Sequence, residues 1–299
     1  MTDIIIIGGG PSGMSAALYA LRAGKSVLIL EKENFGGQIA NSPRVENYPS
    51  IKEISGIEFS NNLFEQILAL GAKFELEEVE RIEKNADIFV VKTNYDQHSA
   101  KSVIIANGVK HRHVGIAREE ELAGKGISYC AVCDGAFYKN EDVILIGDAN
   151  TALQYALLLS NYCRKVFVAT LFDRFFADNI LVERLKNKSN IEYRHNLSMK
   201  EFLGIDEITG AIFIDTKTRE EIKYNAKAIF IAIGQIPDND KYSNLVDLEK
   251  GYIVTNNKME TKTAGLFAIG DTRKKDVRQL VTATSDGAIG ALSAIRYLN

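Results

Sequence analysis

The chain has 299 residues, 46% hydrophobic and 25% charged with only four prolines, a composition that excludes disordered, collagen-like and low-complexity chains and leaves room for two cores. Its 36 basic and 39 acidic side chains give a formal net charge of -3 with no long single-sign block, so nucleic acid is a poor partner. The longest apolar runs, residues 4–7 and 228–233, fall far short of the roughly 18 residues that span a bilayer, and the N-terminus lacks a secretory signal pattern, so the expectation is a cytoplasmic protein away from the membrane.

In chain order, a β-branched strand at residues 4–7 runs into Gly8-Gly9-Gly10-Pro11-Ser12-Gly13 and then a helical pattern over 14–23. Gly8, Gly10 and Gly13 occupy the three glycine places of the dinucleotide fingerprint: a tight turn, close approach of a pyrophosphate to backbone, and close helix–strand packing. A second strand, 26–30, ends in Glu31, at about the 20-residue spacing of an acid that accepts from a ribose 2′-hydroxyl. The plainer reading is a structural glycine turn without ligand. Strand-like alternations follow at 73–76, 88–93, 211–215 and 252–254, predicted to form smaller β-layers. A second strand–turn–helix opening spans 142–160, and polar crossings at 112–125 and 237–242 enclose it. The expected class is α/β, with two Rossmann-like three-layer ββα domains, the second inserted into the first: 1–112 with 241–299, and 113–240.

Two of the three cysteines stand as Cys130-Ala131-Val132-Cys133, a spacing that lets both sulfurs meet at a helix start and points to redox chemistry in a cytosolic protein. A zinc site needs four ligands. Cys163 lies in a Leu-rich helix as a small hydrophobe, and His98, His111, His113 and His195 show no ligand spacing, so no metal is expected.

The later segments carry a resemblance. Gly126-Ile127-Ser128-Tyr129-Cys130-Ala131-Val132-Cys133-Asp134-Gly135-Ala136 is similar to the active site of the low-molecular-weight thioredoxin reductases, members of the pyridine nucleotide disulfide oxidoreductases. The likeness runs in family order through Phe35-Gly36-Gly37-Gln38, Glu46-Asn47-Tyr48-Pro49, Ala106-Asn107-Gly108, Ala232-Ile233-Gly234-Gln235-Ile236-Pro237 and Gly265-Leu266-Phe267-Ala268-Ile269-Gly270-Asp271 with Arg278-Gln279. It implies a flavoprotein that reduces thioredoxin. FAD would lie on the turn of Gly8, Gly10, Pro11, Ser12 and Gly13 with Glu31, and against Gly37, Gln38, Asn47, Val79, Ala106 and Gly108. Gly270, Asp271, Arg278 and Gln279 would meet its ribityl and ring end. By the same resemblance Cys133 faces the isoalloxazine, Cys130 exchanges with thioredoxin, Asp134 gives or takes the thiolate proton, and the protein is a homodimer.

The second glycine turn departs from the family pattern. It reads Gly147-Asp148-Ala149-Asn150-Thr151-Ala152, with a methyl group at the middle glycine place and a carboxylate beside the anion site. The following strand, 165–169, ends in Thr170-Leu171-Phe172 where NADPH-dependent relatives have His-Arg-Arg, and Phe176 replaces a further Arg. Two lost charge-assisted contacts weaken binding by about 3 to 6 kcal/mol. NADH calls for an acid at Thr170, and Asp173 is the nearest candidate. The expected electron donor is therefore ferredoxin, as in the ferredoxin-dependent flavin thioredoxin reductases that the chain most resembles. Ferredoxin is generally acidic, which makes Arg273-Lys274-Lys275 and Lys110-His111-Arg112-His113 candidate docking runs or merely solvated surface. The alternatives are a conventional NAD(P)H-dependent thioredoxin reductase and, from another class, a flavin redox sensor or binding module without turnover.

Overall fold

Four consecutive isoleucines favour an extended chain, because β-branched side chains pack on both faces of a buried strand. In the computed structural model, which describes residues 1–42 and 45–299, β1 (Thr2–Ile7) is buried along residues 4–7. It sits between two parallel neighbours, with Ile4 opposite Val27 of β2 (Val27–Glu31) on one side and opposite Ser102 of β6 (Gln97–Ile105) on the other. The turn after β1 opens α1 (Pro11–Arg22), which buries Met14, Ala16, Ala17 and Ala20. The C-terminal helix α6 (Leu280–Leu298) packs on α1 through small residues: a Cβ on Gly287 would stand 2.4 Å from the Ser12 carbonyl oxygen.

The chain divides into two compact units, Met1–Lys110 with Ile236–Asn299, and His111–Gln235. The short strands β7 (Lys110–His111) and β16 (Gln235–Ile236) mark the crossings, slightly earlier than the 112/113 and 240/241 positions expected from the sequence.

In the first unit the sheet order is β3-β2-β1-β6-β5-β4, with β3 (Lys73–Leu76), β4 (Val79–Asn85) and β5 (Ile88–Thr93), and β19 (Leu266–Ala268) also pairs with β6. The 73–76 and 88–93 alternations thus extend the main sheet instead of forming layers of their own. The length of β6 explains this: its residues 97–100 pair antiparallel with β5, while 100–105 pair parallel with β1. The 252–254 signal gives the two-residue β18 (Tyr252–Ile253), paired with β17 (Leu248–Glu249). Helix α2 (Gly56–Leu68) begins with a Ser55 cap on the Glu58 N–H.

In the second unit the parallel order is β11-β10-β9-β15-β8, from β8 (Ile127–Ser128), β9 (Asp142–Ile146), β10 (Lys165–Ala169), β11 (Ile191–Arg194) and β15 (Ala228–Ile231). Helices α3 (Ala131–Asp134), α4 (Asn150–Leu159) and α5 (Asn179–Lys186) accompany it, and β12 (Leu197–Leu203), β13 (Gly210–Asp215) and β14 (Glu221–Asn225) form an antiparallel sheet. One core holds Leu145, Leu153, Leu159, Val168 and Phe230, and a second holds Ile144, Phe167, Phe202, Phe213 and Ile229. Alternate residues of each central strand feed opposite cores, so the class is the α/β Rossmann-like layering expected from the two strand–turn–helix openings. Among the described residues no helix is long and apolar enough to cross a membrane.

Candidate redox-active site

Strand β8 delivers the chain directly to the cysteines. Cys130 is extended, with φ -136° and ψ 96°, and caps α3, its sulfur accepting from the Cys133 N–H at 3.2 Å. The two are joined as a disulfide with Cα atoms 5.3 Å apart. Helix α3 is a single turn followed by a 3-10 turn at Gly135–Tyr138, so the stabilisation of a thiolate expected from a helix start comes from a few local N–H groups and not from a long aligned dipole. Gly135 sets α3 down on α4: a Cβ there would meet Leu159 at 2.8 Å and Tyr162 at 3.2 Å.

Asp134 lies at the end of that turn. Its Oδ2 accepts from the Ser128 hydroxyl at 2.6 Å, and its Oδ1 is buried without a partner. Burial raises its pKa, opposed by the Ser128 hydrogen bond. Its charge in turn helps push Tyr138 up to about 12 and raises Tyr155, burial being the larger cause in both. A carboxyl group whose pKa is raised by burial, next in the chain to a disulfide cysteine, has the chemistry to exchange a proton with a sulfur. On the other side of Cys130, Tyr129 stacks on His111 at 5.1 Å and donates to Glu119 at 2.9 Å, while Glu119 accepts from the Val114 and Gly115 N–H groups.

The first glycine turn separates three tasks in space. Gly8 has φ +110° and a Cβ there would sit 2.4 Å from the Ala106 oxygen, whereas one on Gly13 would sit 2.0 Å from the Gly8 oxygen. Gly10 has room for a Cβ, which would meet only the Gly37 Cα at 3.9 Å, an ordinary contact. A Cβ is thus excluded at Gly8 and Gly13 by the protein itself, and at Gly10 only by something that approaches from outside. Helix α1 starts with Pro11 and no side-chain cap, so its first N–H groups are left for an anion. Glu31 holds this loop with three backbone donors: Gly9 at 2.7 Å, Lys32 at 2.8 Å and Glu33 at 3.0 Å. A carboxylate has about four acceptor sites, which leaves one for a ribose hydroxyl.

The other expected cofactor residues belong to the same unit. Gln38 donates to the Val109 carbonyl, and Asn47 donates to Gln279 at 3.3 Å. Val79 is buried, its carbonyl accepting from Lys241 at 3.0 Å. Arg278 stacks 4.1 Å above the Tyr252 ring and reaches the Asp271 carbonyl at 3.3 Å. Gly270 has φ +74° against Ser12, and Gly108, at φ +64°, has open space around it. The Asp271 side chain is partly exposed with its Oδ1 buried, and desolvation raises its pKa although Lys275 pulls it down; Oδ1 lies 3.1 Å from the Lys275 ammonium yet makes no aligned hydrogen bond. Asn107 Oδ1, between Ala106 and Gly108, is likewise buried without a partner. Two orphaned acceptors and an open glycine cradle fit a polyhydroxylated dinucleotide such as FAD.

The sequence profile of the pyridine nucleotide-disulphide oxidoreductase family matches residues 2–287. A thioredoxin reductase of Bacillus subtilis is 40% identical over 99% of this chain and 94% of its own length. The chain belongs to the low-molecular-weight thioredoxin reductase family. The crystal structure of thioredoxin reductase from Streptococcus pyogenes superposes with a TM-score of 0.95 at 36% identity, covering 100% of this chain and 98% of that one. A thioredoxin reductase from Giardia duodenalis gives 0.92 at 30% identity, covering 99% and 98%.

Within this thioredoxin reductase fold the second glycine turn repeats the backbone of the first. Ala149 takes an extended conformation, φ -101° and ψ 179°, close to the φ -77° and ψ 179° of Gly10, so the methyl group enters without backbone strain. The Asp148 carbonyl accepts from the Phe176 N–H at 2.8 Å, and burial raises the Asp148 carboxyl. Leu171, Phe172 and Phe176 are about half exposed, and Phe172 and Phe176 meet edge to face at 5.4 Å. Thr170 is fully buried, bonded to His195 at 2.7 Å and to the Phe172 carbonyl at 3.0 Å. One cation of this loop escaped the pattern reading: Arg174, exposed, 5.0 Å over the Phe176 ring.

The first basic run suggested for docking, residues 273–275, is largely neutralised from within, whereas Arg112 and His113 of the second are exposed. Arg273 and Lys275 lie partly buried against Asp286, at 2.9 and 3.2 Å, and Lys274 pairs with Glu249 at 2.5 Å. Lys110 pairs with Glu33 at 3.1 Å, and burial with His113 nearby depresses His111 to about 4. Asp286 and Ser128 are functional-region residues that sequence reasoning missed. Asp286 in a small-residue helix was the available signal; Ser128 carried none beyond its place in the cysteine segment. Among the described residues no cluster suited to a metal ion occurs.

Proposed function

We propose that the chain is an FAD-dependent thioredoxin reductase of the cytoplasm, active as a homodimer, that receives its electrons from reduced ferredoxin and not from a pyridine nucleotide. The observation that carries the donor reading is the surface of the second turn: Ala149 places a methyl group where a pyrophosphate would touch backbone, Asp148 adds a carboxylate, and Leu171, Phe172 and Phe176 stand where a 2′-phosphate would need cations. FAD supplies the ability to collect electrons singly and to release a pair. The chain's own residues divide the rest. Gly8, Gly10, Gly13 and α1 provide the phosphate cradle, Glu31 and Asp271 the acceptors for hydroxyls, and Cys130 and Cys133 the two-electron store. Cys133 would be the cysteine that receives electrons from FAD, and Cys130 the one that exchanges with thioredoxin. Asp134 carries the proton.

A pyridine-nucleotide donor is the second reading, supported by the family to which the chain belongs, by the uncapped start of α4 and by Arg174. Anaerobic stopped-flow mixing separates the two. Reduced ferredoxin is expected to bleach the flavin and NADPH or NADH to leave it oxidised over the same seconds. Rapid bleaching by either nucleotide, with turnover of thioredoxin to match, would refute the ferredoxin reading.

A further inference from the structure

We propose that Ser128 is a positioning residue for thiol–disulfide exchange: its hydroxyl fixes the Asp134 carboxyl by one oxygen, Oδ2, and reserves the other, Oδ1, to carry the proton. The proposal rests on the reading of Asp134 as the proton carrier.

Ser128 ends β8 and is only 5% exposed, and its backbone is held opposite Phe230 of β15, so the side chain projects from a rigid element. A serine hydroxyl has one proton and two lone pairs. The Cys130 N–H donates to Oγ at 3.0 Å, which occupies a lone pair and leaves the proton for a second partner. Of the acceptors in reach, Asp134 Oδ2 at 2.6 Å is far closer than the Cys130 carbonyl at 3.4 Å. The shorter distance lies in the range of hydroxyl-to-carboxylate bonds. One hydroxyl therefore ties the backbone of the first cysteine to the acid that follows the second. Untethered, a carboxyl group flips its two oxygens; tethered at Oδ2, it presents Oδ1, which is buried and has no partner of its own.

Among the groups around Asp134 this contact is the one that favours its charged form, against the larger effect of burial. Tyr138 of the following 3-10 turn and Tyr155 of α4 feel its charge, and both hydroxyls are pushed upward, so both are neutral in the working range. The cysteines are the remaining ionisable neighbours. Burial favours the acid form of Asp134, and the Ser128 bond favours the carboxylate. The two act on the same carboxyl in opposite directions, so loss of the hydroxyl leaves burial unopposed.

In the exchange the dithiol loses two electrons and thioredoxin gains them. Asp134 Oδ1 takes the proton of the attacking Cys130 thiol. The Cys130 sulfur bonds to one thioredoxin sulfur, the thioredoxin S–S bond breaks, and the departing sulfur receives the proton. The Cys133 thiol then loses its proton by the same route, attacks Cys130, breaks the mixed disulfide, and the second thioredoxin sulfur is protonated. The products are the Cys130–Cys133 disulfide and dithiol thioredoxin.

The test uses the intact holoenzyme, photoreduced anaerobically so that no protein donor is needed, and mixed with oxidised thioredoxin across a range of pH. The chain contains no tryptophan, so fluorescence of a tryptophan-bearing thioredoxin reports the exchange alone. Wild type is expected to show, below the ionisations of the thiols, a separate one in the exchange rate that belongs to Asp134, and Ser128→Ala to move it upward by about one pH unit, a tenfold change in the proton equilibrium. Ser128→Thr restores the wild-type profile, while Ser128→Val, its equal in shape without the hydroxyl, reproduces the shift; that pair also covers an unstable alanine variant. Asp134→Asn removes the ionisation. If Ala and Val variants follow the wild-type profile while Asp134→Asn flattens it, the role of Ser128 falls and that of Asp134 stands. If Asp134→Asn keeps the ionisation, both fall.

Discussion

Alanine at Gly10 and alanine at Gly13 should separate cofactor binding from folding. At Gly13 the new Cβ would stand 2.0 Å from the Gly8 carbonyl oxygen and 3.2 Å from Ile6 Cγ2. Backbone cannot yield as a side-chain tip can, so α1 must move more than an ångström off β1, and the cost is about 3 kcal/mol, the upper part of the range for overpacked cores. At Gly10 the nearest atom is 3.9 Å away and the backbone is extended, φ -77° and ψ 179°. Alanine fits there without strain and, by narrowing the unfolded ensemble, stabilises the apoprotein by about 0.5 kcal/mol. The same methyl group stands where the pyrophosphate approaches, and FAD affinity should fall at least tenfold, about 1.4 kcal/mol or more. Thermal melts of the two apoproteins, with FAD titrations followed by flavin fluorescence, measure both quantities. A Gly10→Ala protein that binds FAD like the wild type would refute the reading of this turn, and a Gly13→Ala apoprotein that melts like the wild type would refute the packing argument.

Three further outcomes follow from the geometry. Lys275→Met takes the cation from Asp271 and leaves Asp286 to Arg273 and the Gly270 N–H, in a site where the Lys275 and Asp286 side chains are 8% and 7% exposed, and should cost about 2 kcal/mol in urea unfolding, an unchanged midpoint being the contrary result. His111 is depressed to about 4 by burial, so the unfolded chain binds its proton first; stability should decline as pH falls from about 6.5 to about 4, and His111→Phe should flatten that limb in denaturant titrations. Cys163 is buried and its thiol is pushed up to about 11, so after reduction iodoacetamide at pH 8 should label Cys130 or Cys133 and spare Cys163, as read by peptide mass spectrometry.

Local signals proved legible where the physics is local. The isoleucine run, the spacing of Gly8, Gly10 and Gly13 and the two residues between the cysteines each constrain the backbone within one turn of chain, and the structure forms β1, the glycine cradle and α3 there. Other expectations failed for a common reason. The Arg273-Lys274-Lys275 run reads as a docking patch until Asp286, 13 residues after Arg273 in the chain, is found against it. The 73–76 alternation reads as a minor layer until β2 supplies Leu28 opposite Lys73.

The sequence by itself determined the class of the fold, two nucleotide-type modules with one inserted in the other, and the chemistry of a cysteine pair, because hydrophobic period, glycine spacing and ring closure are properties of neighbouring residues. Only the tertiary structure decided which charges are free and which are cancelled, and that Ser128 rather than a cation holds Asp134. Hydrogen bonds and ion pairs act over a few ångströms of space irrespective of distance along the chain, and burial, which sets their strength, is a property of the whole packed unit.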